Sequence, residues 1–150
     1  MPENSNFFDN NSSLYDHRLK YHKLFFKEIS KQLALKGDEY ICDLCCGNGQ
    51  IASGLIKYVG SALGIDSSSN MLNLATRHER ISYLHHDIND EPISVDNIEP
   101  TFDYLFIGHA VHWINKDSLD KIITRNLNKN GRIIILGNHW DPNTTWADRA

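Results

Sequence analysis

The feature that most constrains this chain is the stretch Tyr40–Gly49, with the sequence YICDLCCGNG. An apolar run ends on an acid, Asp43, and a loop with two glycines follows before a helical apolar pattern from Ile51 to Val59. A strand, a tight loop and a helix in this order form the nucleotide cradle of open α/β sheets, because glycines let the backbone approach a ligand closely. The segment therefore predicts a cofactor at the end of a first strand.

The glycine loop by itself leaves alternatives open. Gly47-x-Gly49-x-x-Ala52 also satisfies the dinucleotide-binding pattern. A glycine turn that binds no ligand would explain the same residues. The acid before the loop favours a third possibility, because phosphates repel a carboxylate whereas a cofactor with an ammonium and a sulfonium attracts it. An NAD-dependent dehydrogenase would use Asp66 on the ribose but leaves Asp43 unexplained.

Four further apolar segments follow the first, separated by helical or loop-like stretches. They predict strands near residues 40–45, 61–65, 81–86, 102–107 and 131–136. The acidic, proline-containing region 89–100 predicts a loop in a place where a helix would be expected. Continuous apolar strands alternating with helices indicate a parallel sheet that is buried on both faces. At 150 residues and 41% hydrophobic, the chain can bury one such core.

The ends of these strands carry the polar side chains. Asp43, Asp66, Asp87 and His109 each stand at or just after the end of an apolar run. In a parallel α/β sheet, ligands bind at the carboxyl ends of the strands. These four residues are therefore expected to share one site.

The motifs resemble, in order, those of the class I S-adenosylmethionine-dependent methyltransferases. Asp43–Gly49 looks like the glycine motif of that family, Asp66–Met71 like its D-x-S-x-x-M segment, and His86-Asp87-Ile88 like the segment whose acid faces the adenine. Ala110–Trp113 is similar to the A-x-H-W signature of a small-molecule subgroup that includes trans-aconitate methyltransferase. Leu127–Arg132 resembles the L-x-x-G-G segment before the fifth strand.

The resemblance implies a Rossmann-like three-layer α/β sandwich with the parallel sheet order 3-2-1-4-5 and S-adenosylmethionine as the cofactor. It implies His109 and His112 as catalytic candidates, because a hydroxyl or amine acceptor uses a base whereas a carboxylate needs none. The cofactor-binding candidates that it implies are Arg18, Asp43, Cys45, Gly47, Asn48, Gly49, Asp66, Ser67, Met71, Asp87, Ile88, Gly108 and His109.

Two positions depart from the family pattern. The family often has glycine at the position of Cys45, so this position is expected not to need a positive φ here. The subgroup often has glutamine or a small polar residue at the position of His109.

The segment before the first strand allows two interpretations. Tyr15-x-x-Arg18-x-x-Tyr21 looks like the segment of these methyltransferases that covers the amino-acid end of the cofactor, where Arg18 would bind the carboxylate in a forked pair. A helix packed on the sheet edge with an exposed arginine explains the same spacing. The Asn- and Ser-rich residues 1–13 are expected to be a mobile tail.

Residues 14–150 are expected to form the methyltransferase domain, incomplete at its C-terminus, since the family's sheet has seven strands. Without strands six and seven, strand five would expose an edge, and such edges favour self-association.

Composition narrows the remaining function classes. The net charge of −4, without a basic run, argues against nucleic acid, and no apolar stretch approaches the ~20 residues of a membrane span. All three cysteines lie between Cys42 and Cys46, too close for a secreted disulfide framework, and without a signal peptide the chain is expected in the cytoplasm. No metal site is expected, since Cys42 lies within a strand.

The expected function is methyl transfer from S-adenosylmethionine to a small-molecule carboxylate, hydroxyl or amine by in-line displacement. A non-catalytic cofactor-binding or interaction domain is the main alternative, and an NAD-dependent dehydrogenase is the second.

Overall fold

A computed structural model describes residues 20–90 and 92–137. The expectations for the tail 1–13, for Tyr15 and Arg18, and for residues 138–150 lie outside the described residues. In chain order the elements are α1 (Lys23–Gln32), β1 (Tyr40–Leu44), α2 (Gln50–Leu55), β2 (Ser61–Asp66), α3 (Ser69–Asn73), β3 (Ile81–His85), β4 (Phe102–Gly108), a 3₁₀ turn (Val111–Trp113), α4 (Lys116–Asn126) and β5 (Leu127–Leu136).

The five strands form one sheet in the order β3-β2-β1-β4-β5, and every neighbouring pair is parallel. The predicted sheet is therefore confirmed. The bounds of the first four strands agree with the sequence prediction to within one residue at each end. The carboxyl ends of all five strands consequently lie along one edge of the sheet.

The fifth strand begins earlier than predicted, at Leu127 rather than at Gly131. Phe102 pairs with Leu127 and Tyr104 with Arg132, so the intervening residues of β5 form an irregularity against β4. A side chain on Gly131 would stand 2.5 Å from Leu127 Cδ1. Gly131 is therefore not the first residue of the strand. Its missing side chain lets Leu127 pack closely against the backbone at this irregularity.

Alternating side chains divide the interior into two apolar clusters, one on each face of the sheet. Ile41 of β1 and Phe106 of β4 belong to one cluster, together with Phe26 of α1 and Leu55 of α2. Leu44, on the same strand as Ile41, belongs to the other cluster. This period of two follows from the pleat, which sends successive side chains to opposite faces.

The second face is covered by α4 and by the segment 92–100, which contains no helix or strand apart from one isolated Val95–Ile98 bridge. Ile93 of this segment is fully buried in the second cluster. Asn126, at the end of α4, donates from its side-chain nitrogen to the carbonyls of Pro100 (2.9 Å) and Ile93 (3.4 Å). The predicted loop is confirmed over the described residues 89–90 and 92–100, and a buried asparagine connects it to the last helix.

Gly64 of β2 is expected to tolerate no side chain. It pairs with Tyr83 of β3, and a Cβ on Gly64 would stand 2.7 Å from the Tyr83 ring and 3.0 Å from Cys46 Sγ. We expect Gly64→Ala to lower the free energy of unfolding by about 1–3 kcal/mol, because overpacking forces a well-packed core to shift. Urea denaturation measures this loss.

Gly137→Ala is the matched control, since nothing lies within 4 Å of the position of its Cβ. Replacing the Tyr83 ring with a smaller side chain, in the double variant Gly64→Ala/Tyr83→Leu, should recover part of the lost stability, as expected for two residues in contact. Equal unfolding midpoints for Gly64→Ala and Gly137→Ala would contradict the close packing.

Candidate active site

The loop between β1 and α2 forms the floor of the candidate site. The Cys46 N–H donates to Ile65 O (2.9 Å), which continues the β1–β2 pairing beyond the end of β1, and the Gly49 N–H donates to Cys46 O (2.8 Å). Gly47 and Gly49 have φ values of +55° and +77°, and Gly49 is the N-cap of α2. Both glycines are thus needed for the left-handed conformations of the turn, as the motif predicted.

Cys45 corrects one expectation. Its φ is +54°, so the position where the family often has glycine keeps the left-handed conformation although it carries a side chain. Such a conformation costs a residue with a Cβ roughly 1–2 kcal/mol, which the surrounding contacts must offset. The Cys45 side chain packs against the apolar cluster that contains Leu44, and this burial is one such contact.

Asp66, the last residue of β2, holds the loop in place. One of its carboxylate oxygens accepts from the Gly47 N–H at 2.7 Å and the other accepts from the Ser68 N–H at 2.9 Å. Ser68 in turn caps α3 by accepting from the Met71 N–H at 3.2 Å. A carboxylate can accept several hydrogen bonds at once, as Asp66 does here. The predicted ribose-binding acid therefore also orders the glycine loop.

Asp43 lies inside the protein rather than on the surface of the site. It is 1% exposed, and its carboxylate accepts from the Ala52 N–H of α2 at 3.1 Å. Burial raises the pKa of Asp43 to about 7, while the Ala52 hydrogen bond acts in the opposite direction and the nearby Asp66 adds to the rise. Its contact with α2 fits the interpretation that this acid orients the amides of the loop and helix.

The third and fourth strands end close to a shared hydrogen-bond network. Asp87 follows β3 and accepts from the Asn89 N–H at 3.0 Å. The Asn89 side chain donates to Trp113 O and accepts from the Asn115 N–H, both at 2.9 Å. It thereby connects the loop after β3 to the 3₁₀ turn after β4, which carries His112.

His109, directly after Gly108 at the end of β4, also has a left-handed backbone, with a φ of +53°. Its N–H donates to Leu136 O at 2.8 Å, which anchors it to the end of β5. Its ring stacks on Tyr21, with 6.1 Å between the ring centroids. Five described residues other than glycine have a positive φ, and two of them, Cys45 and His109, stand at neighbouring strand ends of this edge.

The other predicted residues lie in different surroundings. The Asn48 side-chain oxygen is buried and has no hydrogen-bond partner among the described residues. Ser67 contributes its carbonyl oxygen to a 2.9 Å hydrogen bond with His85 Nε2. Met71 is 1% exposed and Ile88 is 6% exposed, so both lie in the interior.

His112 is exposed on the 3₁₀ turn, with its ring 4.7 Å from that of Trp113. Arg18 lies outside the described residues, so its predicted role stays a prediction.

Two residues that support the site were missed at the level of sequence. Tyr83 fills the space beside Gly49 and Gly64 and donates from its hydroxyl to Thr76 O at 2.9 Å. Asn89 was predicted only as part of the loop 89–100, without a role in the site. The glycine within β2 was the one sequence signal for Tyr83, because a strand glycine often marks a close approach; nothing comparable marked Asn89.

The three cysteine thiols have raised pKa values. Burial, reinforced by nearby carboxylates, raises the pKa of the Cys45 thiol to about 12 and the pKa values of the Cys42 and Cys46 thiols well above their usual range. The thiols are therefore protonated at neutral pH, and a thiol is a much weaker nucleophile than a thiolate. Among residues 20–90 and 92–137, no three His, Cys, Asp or Glu side chains are grouped to hold a metal ion. No helix within the same residues is long and apolar enough to cross a membrane.

Comparison with known proteins identifies the family. A family model described as "Methyltransferase domain" matches residues 41–131. The chain is 30% identical over 117 residues to demethylmenaquinone methyltransferase of Lactobacillus johnsonii, covering 73% of this chain and 48% of that protein. It is 33% identical over 116 residues to the enzyme of the same name from Staphylococcus aureus strain MRSA252, covering 69% and 46%. The chain thus spans about half the length of these curated relatives.

Solved structures show the same fold. An S-adenosylmethionine-dependent methyltransferase from Mesorhizobium loti matches with a TM-score of 0.56 and 21% identity, over 73% of this chain and 54% of that one. The structure titled "DhpI-SAM-HEP complex" matches with a TM-score of 0.66 and 15% identity, over 93% and 71%.

The chain belongs to the class I S-adenosylmethionine-dependent methyltransferases. This membership does not support the dehydrogenase alternative. The two curated relatives are demethylmenaquinone methyltransferases, so the likeness to the trans-aconitate subgroup stays a prediction.

The raised pKa of Asp43 predicts a pH-dependent cost in stability. The native state holds this proton up to about pH 7, whereas the usual value is 3.8, so the folded chain binds more protons between these limits. The free energy of unfolding should therefore fall as the pH rises from about 4 to 7, by a few kcal/mol at most, since one pKa unit corresponds to about 1.4 kcal/mol. Asp43→Asn should lose this contribution.

Urea denaturation of both proteins from pH 4 to 8 measures the difference. The stability of Asp43→Asn relative to the native chain should increase through this range and then level off. Asp38→Asn, which makes the same substitution at an exposed position, is the matched control. Parallel curves for Asp43→Asn and the native chain would show that the Asp43 pKa is not raised.

Proposed function

We propose that this chain binds S-adenosylmethionine at the carboxyl edge of the sheet and transfers its methyl group to a small-molecule acceptor by in-line displacement. The observation that carries the proposal is the glycine loop that Asp66 holds through the Gly47 N–H at 2.7 Å. This contact lies within residues 41–131, which match the methyltransferase family. The loop is preorganised by the second strand end, as expected for a site that must bind one cofactor in one orientation.

The described residues fit such a cofactor. Asn48 offers a buried side-chain oxygen with no described partner, which a ligand amine or hydroxyl could satisfy. Gly47 and Gly49 leave the loop backbone open to close approach. Asp66 lies beside Ser67 at the end of β2 and would accept from the two ribose hydroxyls. Asp87 stands after the third strand, where the family's adenine-facing acid is found.

The remaining cofactor candidates have supporting roles in this proposal. The interior positions of Met71 and Ile88 suit residues that shape the adenine side of the site from behind. Gly108 lets Ile51 of α2 pack closely against the end of β4, since a Cβ there would stand 2.5 Å from Ile51 Cδ1. Asp43 and Cys45 fix the backbone of the loop, and Arg18 would bind the carboxylate at the amino-acid end of the cofactor.

When bound, S-adenosylmethionine supplies a methyl group on a positively charged sulfur, which is already a strong electrophile. The protein therefore needs mainly to align the acceptor and to exclude water. His109 is the preferred base for a hydroxyl or amine acceptor, because its position at the end of β4 is fixed by Leu136 and Tyr21. The exposed His112 is the second candidate. Either nitrogen of a histidine ring could receive the acceptor's proton.

The acceptor is proposed to be a small molecule. Demethylmenaquinone is the first compound to test, because it appears in the names of the curated relatives. The net charge of −4 does not suit a phosphate backbone, so nucleic acid is not among the proposed partners. The cytoplasm is the proposed location.

Calorimetric titration of the full chain with S-adenosylhomocysteine and with NADH tests the cofactor. We expect the first to bind and the second not to bind. Asp66→Asn should weaken S-adenosylhomocysteine binding about tenfold to a hundredfold, because charge-assisted hydrogen bonds contribute roughly 1.5–3 kcal/mol. Asp90→Asn is the matched control: it makes the same charge change at an exposed position near the same edge.

The thermal unfolding midpoint of each variant separates lost binding from lost folding. Unchanged affinity in a folded Asp66→Asn protein would remove this residue from the site, and preferential NADH binding would overturn the proposed cofactor. Turnover with S-adenosylmethionine and demethylmenaquinone or a related small acceptor then tests catalysis. Tight binding without turnover of any acceptor would favour a non-catalytic cofactor-binding domain.

We also propose that two copies of this chain associate through the edge of β5. Among the described residues, β5 pairs with β4 alone, and Ile135 on this strand is 55% exposed. An unpaired strand with exposed apolar side chains is a template for a second strand. Sedimentation of the native chain should therefore depend on concentration, whereas Ile135→Lys should remain monomeric.

Leu24→Lys is the control for that experiment, since Leu24 is 64% exposed on α1, away from the strand edge. It should associate as the native chain does. A native chain that stays monomeric at all concentrations, or equal effects of the two lysines, would contradict association through β5.

A further inference from the structure

A second candidate binding region lies outside the strand-end site. It is a groove of about 460 Å³ between the start of α1, one face of α2 and the residues that follow α3. From α2 and its extension come Gln50, Ser53, Gly54 and Lys57, which have the spacing of a single helix face. Asp66, Asp87 and His109 do not line it, and of the described cofactor candidates only Asn48 does.

The groove collects positive charge in a chain whose net charge is −4. Lys20, Lys23 and Lys57 line it, and all three are exposed. Within the part of the chain that the structure describes, the ion pairs involve other residues, Lys116 with Asp120 and Arg125 with Glu99. Lys57 Nζ also lies 5.0 Å from the centroid of the Tyr58 ring. An anion in the groove would attract all three ammonium groups.

The start of α1 adds to this positive potential. Lys23 is the first residue of this ten-residue helix, and its first turn contains no acid. The N-terminus of a helix is the positive end of its dipole, where an acid is favourable and a lysine is not. Lys23 is thus placed against the local preference of the helix, whose N-terminus is capped by the His22 ring accepting from the Leu24 N–H at 3.2 Å. An anionic ligand would offset the charge of Lys23.

One wall of the groove is apolar. Leu74 is 44% exposed, although leucine is usually buried, and it faces the groove together with Ile56 and Phe26. Ser53, whose hydroxyl donates to Gln50 O at 3.3 Å, contributes a polar floor. The lining therefore combines cations, a hydroxyl and apolar carbon, which suits a ligand with both an anionic and an apolar part.

We propose that this groove binds a small amphipathic anion, with a carboxylate or phosphate group on the three lysines and a short apolar chain against Leu74 and Ile56. The volume of the groove lies within the range of about 300–1,000 Å³ that small-ligand sites occupy. The groove borders the methyl-transfer site at Asn48 and at Tyr21, whose ring stacks on His109, but the proposal does not depend on that activity.

Hexyl phosphate is a suitable probe, with inorganic phosphate and hexanol as its two halves. In an amide NMR titration of the full chain, hexyl phosphate should shift the signals of Ser53, Gly54 and Thr76 and should bind at least about tenfold more tightly than either half. Its affinity should fall as salt rises. Equal binding of hexanol, or shifts confined to the strand-end residues, would overturn the proposal.

A triple variant tests the lysines. Lys20→Gln/Lys23→Gln/Lys57→Gln should weaken hexyl phosphate binding at least about tenfold, since charge-assisted contacts are the stronger hydrogen bonds. Lys27→Gln/Lys31→Gln/Lys36→Gln makes the same charge change at exposed residues outside the groove and should change the affinity less than about twofold. An equal loss in both triples would show general charge attraction and overturn the site. S-adenosylhomocysteine affinity should be unchanged in both.

Discussion

All five strands run in the same direction with both faces of the sheet buried, and the arrangement of the polar residues follows from this constraint. In such a sheet the acids of the site stand near the ends of the strands, with Asp66 the last residue of β2 and Asp43 next to the last residue of β1. The loops after β1, β2 and β4 consequently meet at one edge. There Asp66 binds the Gly47 N–H, and His109 binds Leu136 O. The glycine loop depends on that meeting, because its conformation is held by a residue nineteen positions further along the chain.

The strands could be predicted because their pattern is local. A buried parallel strand is a continuous apolar run, and each of the five runs was visible in the sequence. The order of the strands came from the family resemblance, since apolar runs carry no information about which neighbours pair. The acids at the strand ends were predictable for the same local reason: each stands where an apolar run stops. Gly47 and Gly49 were recognised through the turn that they require.

Features that depend on distant contacts could not be predicted. The left-handed conformation of Cys45 was expected to be absent, because sequence alone does not show which packing offsets its cost. Tyr83 fills the space beside two glycines that are far apart in the chain, and its role becomes visible only when β2 and β3 are paired. The early start of β5 at Leu127 likewise depends on its pairing with Phe102 of β4.

The segment 92–100 is the loop that the sequence predicts in the place of a helix, and asparagine side chains help to hold it. A helix forms hydrogen bonds between its own backbone groups. In this segment the Asn126 side chain instead donates to Ile93 O and Pro100 O. Just before the segment, the Asn89 side chain donates to Trp113 O. Few backbone bonds hold such a segment, so it should open as a unit at a lower free energy than the sheet beneath it. Amide hydrogen exchange would then be faster in the segment 92–100 than in β4. Each opening would briefly expose the apolar side chains around Ile93 to water.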